Sequence, residues 1–245
     1  MSTATHTDAQ TDPGAKPARA RQFVNYSFYR IDRAFRRESA DARRDAKLKL
    51  VEIVDRHEKT TQILTYSTIG VKAGVDILLW QIGYDLDLMQ RMAAEINRSP
   101  IGPFIDLPVN YLAMTKHSQY VREHVHEGQE GRRLKIVPGE AKYLFVYPFV
   151  KTRPWYRLPM EERQRIMNEH IAIGHRYPTV KINTTYSFGL DDQEFVVAFE
   201  SDSPADFLDL VQELRESESS KYTLRDTPIF TCRKAPLGEI LDEIA

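Results

Sequence analysis

Two stretches of the chain, GVDILLW at residues 74–80 and GLDDQEFVVA at residues 189–198, open alike and then continue as apolar segments. Each begins with Gly, an aliphatic residue and Asp. Each is followed by a segment in which apolar residues have helical spacing. Together with the order of the neighbouring elements, this similarity between the two stretches indicates that one structural unit occurs twice in the chain.

The elements around the two stretches follow the same order in both halves of the sequence. In the first half, the pattern predicts strands at residues 23–30, 63–67, 76–82 and 108–114 and helices at residues 38–56 and 86–96. In the second half, it predicts strands at residues 143–150, 180–187, 195–200 and 228–232 and helices at residues 159–174 and 205–214. The order β-α-β-β-α-β is typical of a ferredoxin-like unit. The sequence therefore predicts an α+β fold of two tandem ferredoxin-like repeats.

The domain limits follow from composition. Residues 1–20 contain no apolar run, so we expect a disordered tail. The N-terminal repeat is expected at residues 21–116 and the C-terminal repeat, which would bind the ligand, at residues 141–245. Between them, residues 117–140 are polar, charged and rich in histidine, and such a long inter-repeat loop is usually functional or disordered.

The composition is that of a globular protein without a strong preference for a charged partner. Of 245 residues, 42% are hydrophobic and 28% are charged, and 34 basic residues balance 35 acidic ones. We therefore expect no binding to nucleic acid and no attraction to an anionic membrane. No apolar stretch is long enough for a signal-peptide core or a membrane span, which predicts a cytoplasmic protein.

Several motifs that would indicate other chemistries are missing. The sequence has no Gly-rich phosphate loop, no Gly-x-Ser-x-Gly, no His-Glu-x-x-His and no dinucleotide-binding fingerprint, so nucleotide chemistry and serine hydrolysis have little support. The single cysteine, Cys232, excludes an internal disulfide and a cysteine metal cluster. Its position in an apolar strand predicts a structural role.

One histidine lies on the apolar face of a predicted helix. His170 comes three residues before Ile173 in the helix at residues 159–174, although that helix has polar positions to spare. The pattern alone favours a core histidine with a backbone partner. The alternative is the axial ligand of an apolar cofactor, because a haem requires a neutral imidazole in an apolar wall. His124 and His126 alternate like a zinc-binding pair, but no further ligand stands nearby.

The strand at residues 143–150 places unusual side chains on one face. Alternation puts Tyr147, Phe149 and Lys151 on the same side. These residues are either core aromatics with a lysine that reaches to solvent, or a phenol and an ammonium that face one ligand. The second arrangement would suit oxidation of an anionic substrate.

Residues 133–232 resemble the chlorite dismutase-like family, particularly its coproheme decarboxylase branch, and a weaker likeness covers residues 23–120. The resemblance depends on the order and spacing of several landmarks: Tyr147-Pro148, Lys151, Trp155-Tyr156, residues 160–164 (MEERQ), Glu169-His170 and residues 189–192 (GLDD). It implies two ferredoxin-like repeats of the dimeric α+β barrel type, with a β-barrel-like core, outer helices and usually a homopentamer. It also implies an iron porphyrin, either Fe-coproporphyrin III or haem b.

The resemblance implies a role for several individual residues. His170 is similar to the proximal iron ligand, Tyr147 to the reactive tyrosine, and Lys151 to a lysine near the reacting propionate. Further porphyrin-binding positions are expected by the same resemblance: Arg133 holding a propionate, Ser219 contacting a propionate after a gap, Gln119 as a polar contact, and Trp155.

On the opposite side of the iron, the aligned residue is Ile182 or, with a one-residue shift, Asn183. Oxygen-evolving members of the family carry an arginine there and an aliphatic residue in place of Tyr147, so both differences disfavour chlorite chemistry. Glu200 aligns with a glutamate that bonds the proximal histidine, which would make the ligand more electron-donating. The alternative for Glu200 is a surface residue at a strand end.

The expected function is hydrogen peroxide-dependent oxidative decarboxylation of coproheme to haem b. One alternative is a haem b peroxidase or a chlorite-degrading enzyme, in which the haem stays bound and unaltered. Another is a non-catalytic haem-binding member of the family. His124 or His126 is a candidate base on the distal side of the porphyrin.

Overall fold

A computed structural model describes residues 20–120 and 135–245 of the chain. All but the last residue of the predicted tail and most of the predicted inter-repeat loop lie outside these residues, and so do His124, His126 and Arg133. No helix within the two described ranges is long and apolar enough to cross a membrane. The domain limits given above stay predictions.

The first half of the fold is a four-stranded antiparallel sheet with two helices. Its elements are β1 (Phe23–Ile31), α1 (Ala40–Glu58), β2 (Gln62–Ser67), β3 (Ile77–Gly83), α2 (Leu86–Arg98) and β4 (Ile105–Met114). Both helices begin where the sequence supplies a cap, because the side chains of Ser39 and Asp85 accept hydrogen bonds from the first-turn backbone. The strands lie in the order β4-β1-β3-β2.

The second half repeats this arrangement and adds short elements. Its elements are β5 (Tyr143–Lys151), α3 (Arg153–Arg157), α4 (Met160–His175), β6 (Lys181–Tyr186), β7 (Phe195–Ser201), α5 (Pro204–Glu216), β8 (Thr223–Arg225), β9 (Phe230–Lys234) and α6 (Leu237–Ile244). The main strands lie in the order β9-β5-β7-β6, which is the counterpart of the order in the first half. The short strand β8 adds to the end of β5.

The two sheets close into a barrel. Strand β4 pairs with β6 and β2 pairs with β9, so both seams between the halves are antiparallel. Since β7 also pairs with β5, every strand except β8 takes part in a continuous ring. The predicted α+β fold, with tandem ferredoxin-like repeats, a barrel-like core and outer helices, is confirmed.

Strand alternation divides the side chains between the interior of the barrel and its outer faces. Aromatic residues fill the interior, where Phe28 stacks on Phe230 with 4.1 Å between ring centroids. Helices α1, α2 and α6 cover the outer face of the first half. The outer face of the second half packs against α4 and α5 and carries Tyr147 and Phe199. This second outer face positions the candidate site.

Candidate porphyrin site

Helix α4 places His170 beside the outer face of the second sheet. Its side chains Ile166 and Ile173 are buried, and Ile173 packs in the cluster that contains Tyr147 and Phe199. His170 follows Ile166 by four residues and precedes Ile173 by three, so it lies next to this buried stripe. The helical period therefore gives the imidazole an apolar setting.

The imidazole of His170 is held by one hydrogen bond on one side of the ring. Its Nδ1 atom lies 3.1 Å from Oγ of Ser219, and Ser219 is only 3% exposed. Burial, with a smaller effect of the Lys151 ammonium, lowers the pKa of His170 to about 4, so the ring is neutral near pH 7. Among the residues that the structure describes, no group bonds Nε2. Nε2 can therefore bind an iron in the tautomer in which Nδ1 carries the ring proton.

Lys151 lies at the end of β5, near His170. Its Nζ atom donates a hydrogen bond to the backbone carbonyl of Ser219 at 3.0 Å and lies 4.6 Å from the centre of the Trp155 ring. Burial lowers the pKa of the Lys151 ammonium to about 8, against the opposing effect of the Glu194 carboxylate. Lys151 and His170 thus share Ser219 as a partner, while contact between Lys151 and a propionate stays a prediction.

The lowered pKa of Lys151 predicts a pH dependence of stability. Between pH 8 and 10.5 the unfolded chain keeps the proton on Lys151, whereas the folded chain has lost it. Stability rises with pH wherever the unfolded state binds more protons. We expect the free energy of unfolding of the wild type to rise across this window relative to that of Lys151→Met, measured by urea denaturation. Identical pH profiles for the two proteins would contradict this expectation.

Tyr147 presents a neutral phenol on the same outer face. Its side chain is 7% exposed and stacks on Phe199, with 5.7 Å between the ring centroids and 19° between the planes. Burial raises the pKa of Tyr147 to about 12, against the opposing effect of Arg215. At neutral pH the side chain therefore keeps its O–H bond, which is what a hydrogen-atom donor requires.

The register of β6 decides which of Ile182 and Asn183 lies on the face of the candidate site. Ile182 pairs with Phe199, which faces outward with Tyr147, whereas Asn183 pairs with Ala198, which faces the barrel interior. Of the two residues, only Ile182 lies on the face of the candidate site. Its side chain is aliphatic and 40% exposed, so it offers no hydrogen bond to a ligand on that face.

The prediction that Glu200 hydrogen-bonds His170 is wrong. Alternation along β7 points Glu200 inward with Ala198, where it is 2% exposed, so it is not a surface residue either. Its carboxylate accepts hydrogen bonds from the Gly139 backbone at 2.6 Å and from Nδ2 of Asn183 at 2.8 Å. Ser219, not Glu200, lies beside Nδ1 of His170.

The remaining predicted residues fall in different surroundings. Trp155 is buried between Lys151 and Tyr222, whose ring centroid lies 5.3 Å away. Gln119 is exposed and donates to the Tyr120 hydroxyl at 2.9 Å. Sequence reasoning missed Ser217, whose hydroxyl lies 2.9 Å from that of Ser219. No periodic pattern could reveal it, because the contact depends on how the turn after α5 meets α4.

The residues present fit an iron porphyrin better than a bare metal ion. No three His, Cys, Asp or Glu side chains in residues 20–120 and 135–245 lie close enough together to hold an ion. A single neutral histidine suits an iron whose equatorial ligands come from a macrocycle. The face beside His170, with Tyr147 and the partly buried Phe149 and Val197, is apolar enough to receive such a ring.

Known proteins resemble this chain in sequence. A model described as chlorite dismutase matches residues 43–235. The coproheme decarboxylase of Mycolicibacterium smegmatis is 30% identical over 167 residues, which cover 68% of this chain and 70% of that protein. A protein of Haloquadratum walsbyi, named as a candidate heme-binding protein, is 29% identical over 223 residues. That match covers 82% of this chain but 41% of the other protein.

Solved structures share the fold. A variant of chlorite dismutase from Candidatus Nitrospira defluvii has a TM-score of 0.83 at 22% identity, covering 91% of this chain and 95% of that one. Chlorite dismutase from the same organism in complex with imidazole has a TM-score of 0.82 at 22% identity, covering 91% and 94%. The predicted resemblance is confirmed: the chain belongs to the chlorite dismutase family, in the branch of the coproheme decarboxylases.

Proposed function

We propose that the protein converts Fe-coproporphyrin III to haem b by oxidative decarboxylation with hydrogen peroxide. The observation that carries this proposal is that the neutral Tyr147 lies in the cluster into which helix α4 packs Ile173, three residues after the neutral His170. The 30% identity to a coproheme decarboxylase supports the same reaction. The porphyrin is then both the substrate and the product.

His170 would hold the porphyrin through Nε2, because Ser219 occupies the neighbourhood of Nδ1. When bound, the iron supplies the centre at which hydrogen peroxide is reduced. The apolar face of β5, β6 and β7 would exclude water from the ring. Ile182 would pack on that face without a hydrogen bond, so the distal polar group would have to come from elsewhere.

Tyr147 would transfer hydrogen. Oxidation of its phenol removes the O–H hydrogen atom, and the tyrosyl radical then takes a hydrogen atom from the β-carbon of a propionate. Release of carbon dioxide and a second electron leaves a vinyl group. Each conversion consumes one hydrogen peroxide and one proton and forms two waters. Two propionates react in turn, through a three-propionate intermediate.

Lys151 and Arg133 are the cations proposed for the propionates. A carboxylate would form charge-assisted hydrogen bonds with either side chain. Because burial lowers the pKa of Lys151 to about 8, its ammonium could also supply a proton near neutral pH. Trp155, whose ring lies under the ammonium, would keep Lys151 in place. The Ser219 hydroxyl is hydrogen-bonded to His170, so it would have to rotate away from His170 in order to contact a propionate.

The alternative of a haem b peroxidase or chlorite-degrading enzyme has less support. By the resemblance, oxygen-evolving members of the family carry an arginine where this chain has Ile182 and an aliphatic residue where it has Tyr147. A non-catalytic haem-binding protein would leave Tyr147 with its packing against Phe199 as its only role. A homopentamer and a cytoplasmic location remain predictions that accompany the proposed function.

Product analysis tests the proposal. Porphyrin-free protein is mixed with ferric coproporphyrin III, hydrogen peroxide is added stepwise, and the porphyrins are separated and weighed by mass spectrometry. We expect a three-propionate species first and haem b second. An unchanged porphyrin that stays bound, or oxygen release from chlorite by the haem b complex, would favour the alternative enzyme and contradict the proposal.

A further inference from the structure

A chain of hydrogen bonds connects His170 to the backbone of α5. Nδ1 of His170 lies 3.1 Å from Oγ of Ser219, and that oxygen lies 2.9 Å from Oγ of Ser217. Ser217 in turn donates to the carbonyl oxygen of Leu214 at 2.7 Å. Both serines are buried, at 4% and 3% exposure, so the geometry is protected from solvent.

The direction of each bond follows from the number of hydrogens available. A carbonyl oxygen only accepts, so the single hydroxyl hydrogen of Ser217 is used on Leu214. Ser217 must therefore accept from Ser219, which uses the single hydroxyl hydrogen of Ser219. Ser219 can then only accept from His170, so Nδ1 carries the imidazole proton.

We propose that Ser217 is a positioning residue that fixes His170 as the Nδ1–H tautomer, leaving the Nε2 lone pair free for iron. The inference rests on the proposed role of His170 as the iron ligand. Ser217 touches neither the iron nor the reacting carbon and acts only through Ser219. Without its hydroxyl, Ser219 could turn and donate to Nδ1, which would move the imidazole proton to Nε2 and block the ligand atom.

The same chain also limits how strongly His170 donates electrons. A serine hydroxyl accepts a hydrogen bond but does not take the proton, whereas a carboxylate would draw the proton away and give the ring imidazolate character. The backbone carbonyl of Ser219 is occupied by Lys151, which helps to hold the serine in this orientation. The hydrogen-bonded chain therefore holds His170 as a neutral imidazole of fixed orientation.

Nitrogen NMR of the porphyrin-free protein tests the proposal without any turnover. With ¹⁵N-labelled histidine near pH 7, we expect His170 to show a protonated Nδ1 and an unprotonated Nε2. In Ser217→Ala, the Nε2–H form should become populated. A wild-type signal from the Nε2–H tautomer, or a Ser217→Ala signal identical to that of the wild type, would overturn the proposal.

Two further variants separate the tautomer from a general effect on folding. Ser220→Ala removes a half-buried hydroxyl that also donates to a backbone carbonyl, that of Arg215, and should leave His170 unchanged. Ser217→Thr keeps the hydroxyl and should restore the wild-type tautomer. If Ser217→Ala does not fold, the wild-type and Ser217→Thr spectra still decide the assignment of the proton.

Binding of ferric coproporphyrin III provides the second measurement. We expect Ser217→Ala to bind it about ten- to a hundredfold more weakly than the wild type, as is typical when the outer partner of a metal ligand is lost. Equal affinity would contradict the role of Ser217. Neither measurement involves the decarboxylase reaction. A protein that binds ferric coproporphyrin III without decarboxylating it would therefore contradict the proposed function but not the role of Ser217.

Discussion

Tyr147→Phe should bind ferric coproporphyrin III as the wild type does and yet release no carbon dioxide with peroxide. The substitution removes only the phenolic O–H, and the ring can still stack on Phe199. Because hydrogen transfer through this group is the proposed chemical step, we expect the rate of carboxyl loss to fall by at least about two orders of magnitude. Mass spectrometry of the porphyrin after limited peroxide measures this loss.

Tyr143→Phe is the matched control for Tyr147→Phe. Tyr143 lies four residues earlier on β5, on the same face and in the same cluster, and its ring is near Phe145. It should retain wild-type decarboxylation. Haem b formation by Tyr147→Phe at the wild-type rate would show that another residue takes the hydrogen atom.

His170→Ala should lose the iron ligand. The substitution removes the imidazole proposed to bind the iron, so we expect affinity for ferric coproporphyrin III to fall by at least about tenfold. The absorption spectrum of the iron should change with it, because the axial ligand sets the electronic state. Titration followed by absorption spectroscopy measures both effects.

Free imidazole provides a direct check on His170→Ala. If the missing ligand is the cause, added imidazole should restore the wild-type spectrum. His175→Ala, which removes a histidine from the last turn of the same helix, should leave the spectrum unchanged. A His170→Ala complex with an unaltered iron spectrum would exclude His170 as the ligand.

The fold could be predicted from the sequence to the level of its elements. Apolar periodicity identified each main strand and helix, because one face of each is buried and the other exposed. It missed α6, although Leu237, Ile240, Leu241 and Ile244 are buried with helical spacing at the very end of the chain. Closure of the barrel depends on pairing of β2 with β9 and of β4 with β6. Local periodicity cannot predict these pairs, because their strands are far apart in the sequence.

Only part of the candidate site can be read from the sequence. The pattern places His170 on an apolar helix face and Tyr147 on one strand face with Lys151, whereas the roles proposed for His170 and Tyr147 depend on the family resemblance. The choice between Ile182 and Asn183 needed the register of β6, since a shift of one residue reverses the face. Glu200 was misassigned for the same reason. Ser217 and Ser219 reach His170 only through packing of a turn, which leaves no signal in the sequence.

Coproheme carrying deuterium on the propionate β-carbons tests the proposed reaction most directly. If Tyr147 takes hydrogen from that carbon, each vinyl group formed should lose one deuterium together with one carbon dioxide, and the conversion should be slower than with unlabelled substrate. Mass spectrometry of the haem b product measures the deuterium that remains. Vinyl groups that keep all their β-deuterium, or a porphyrin that keeps all its carboxyl groups, would contradict the proposed reaction.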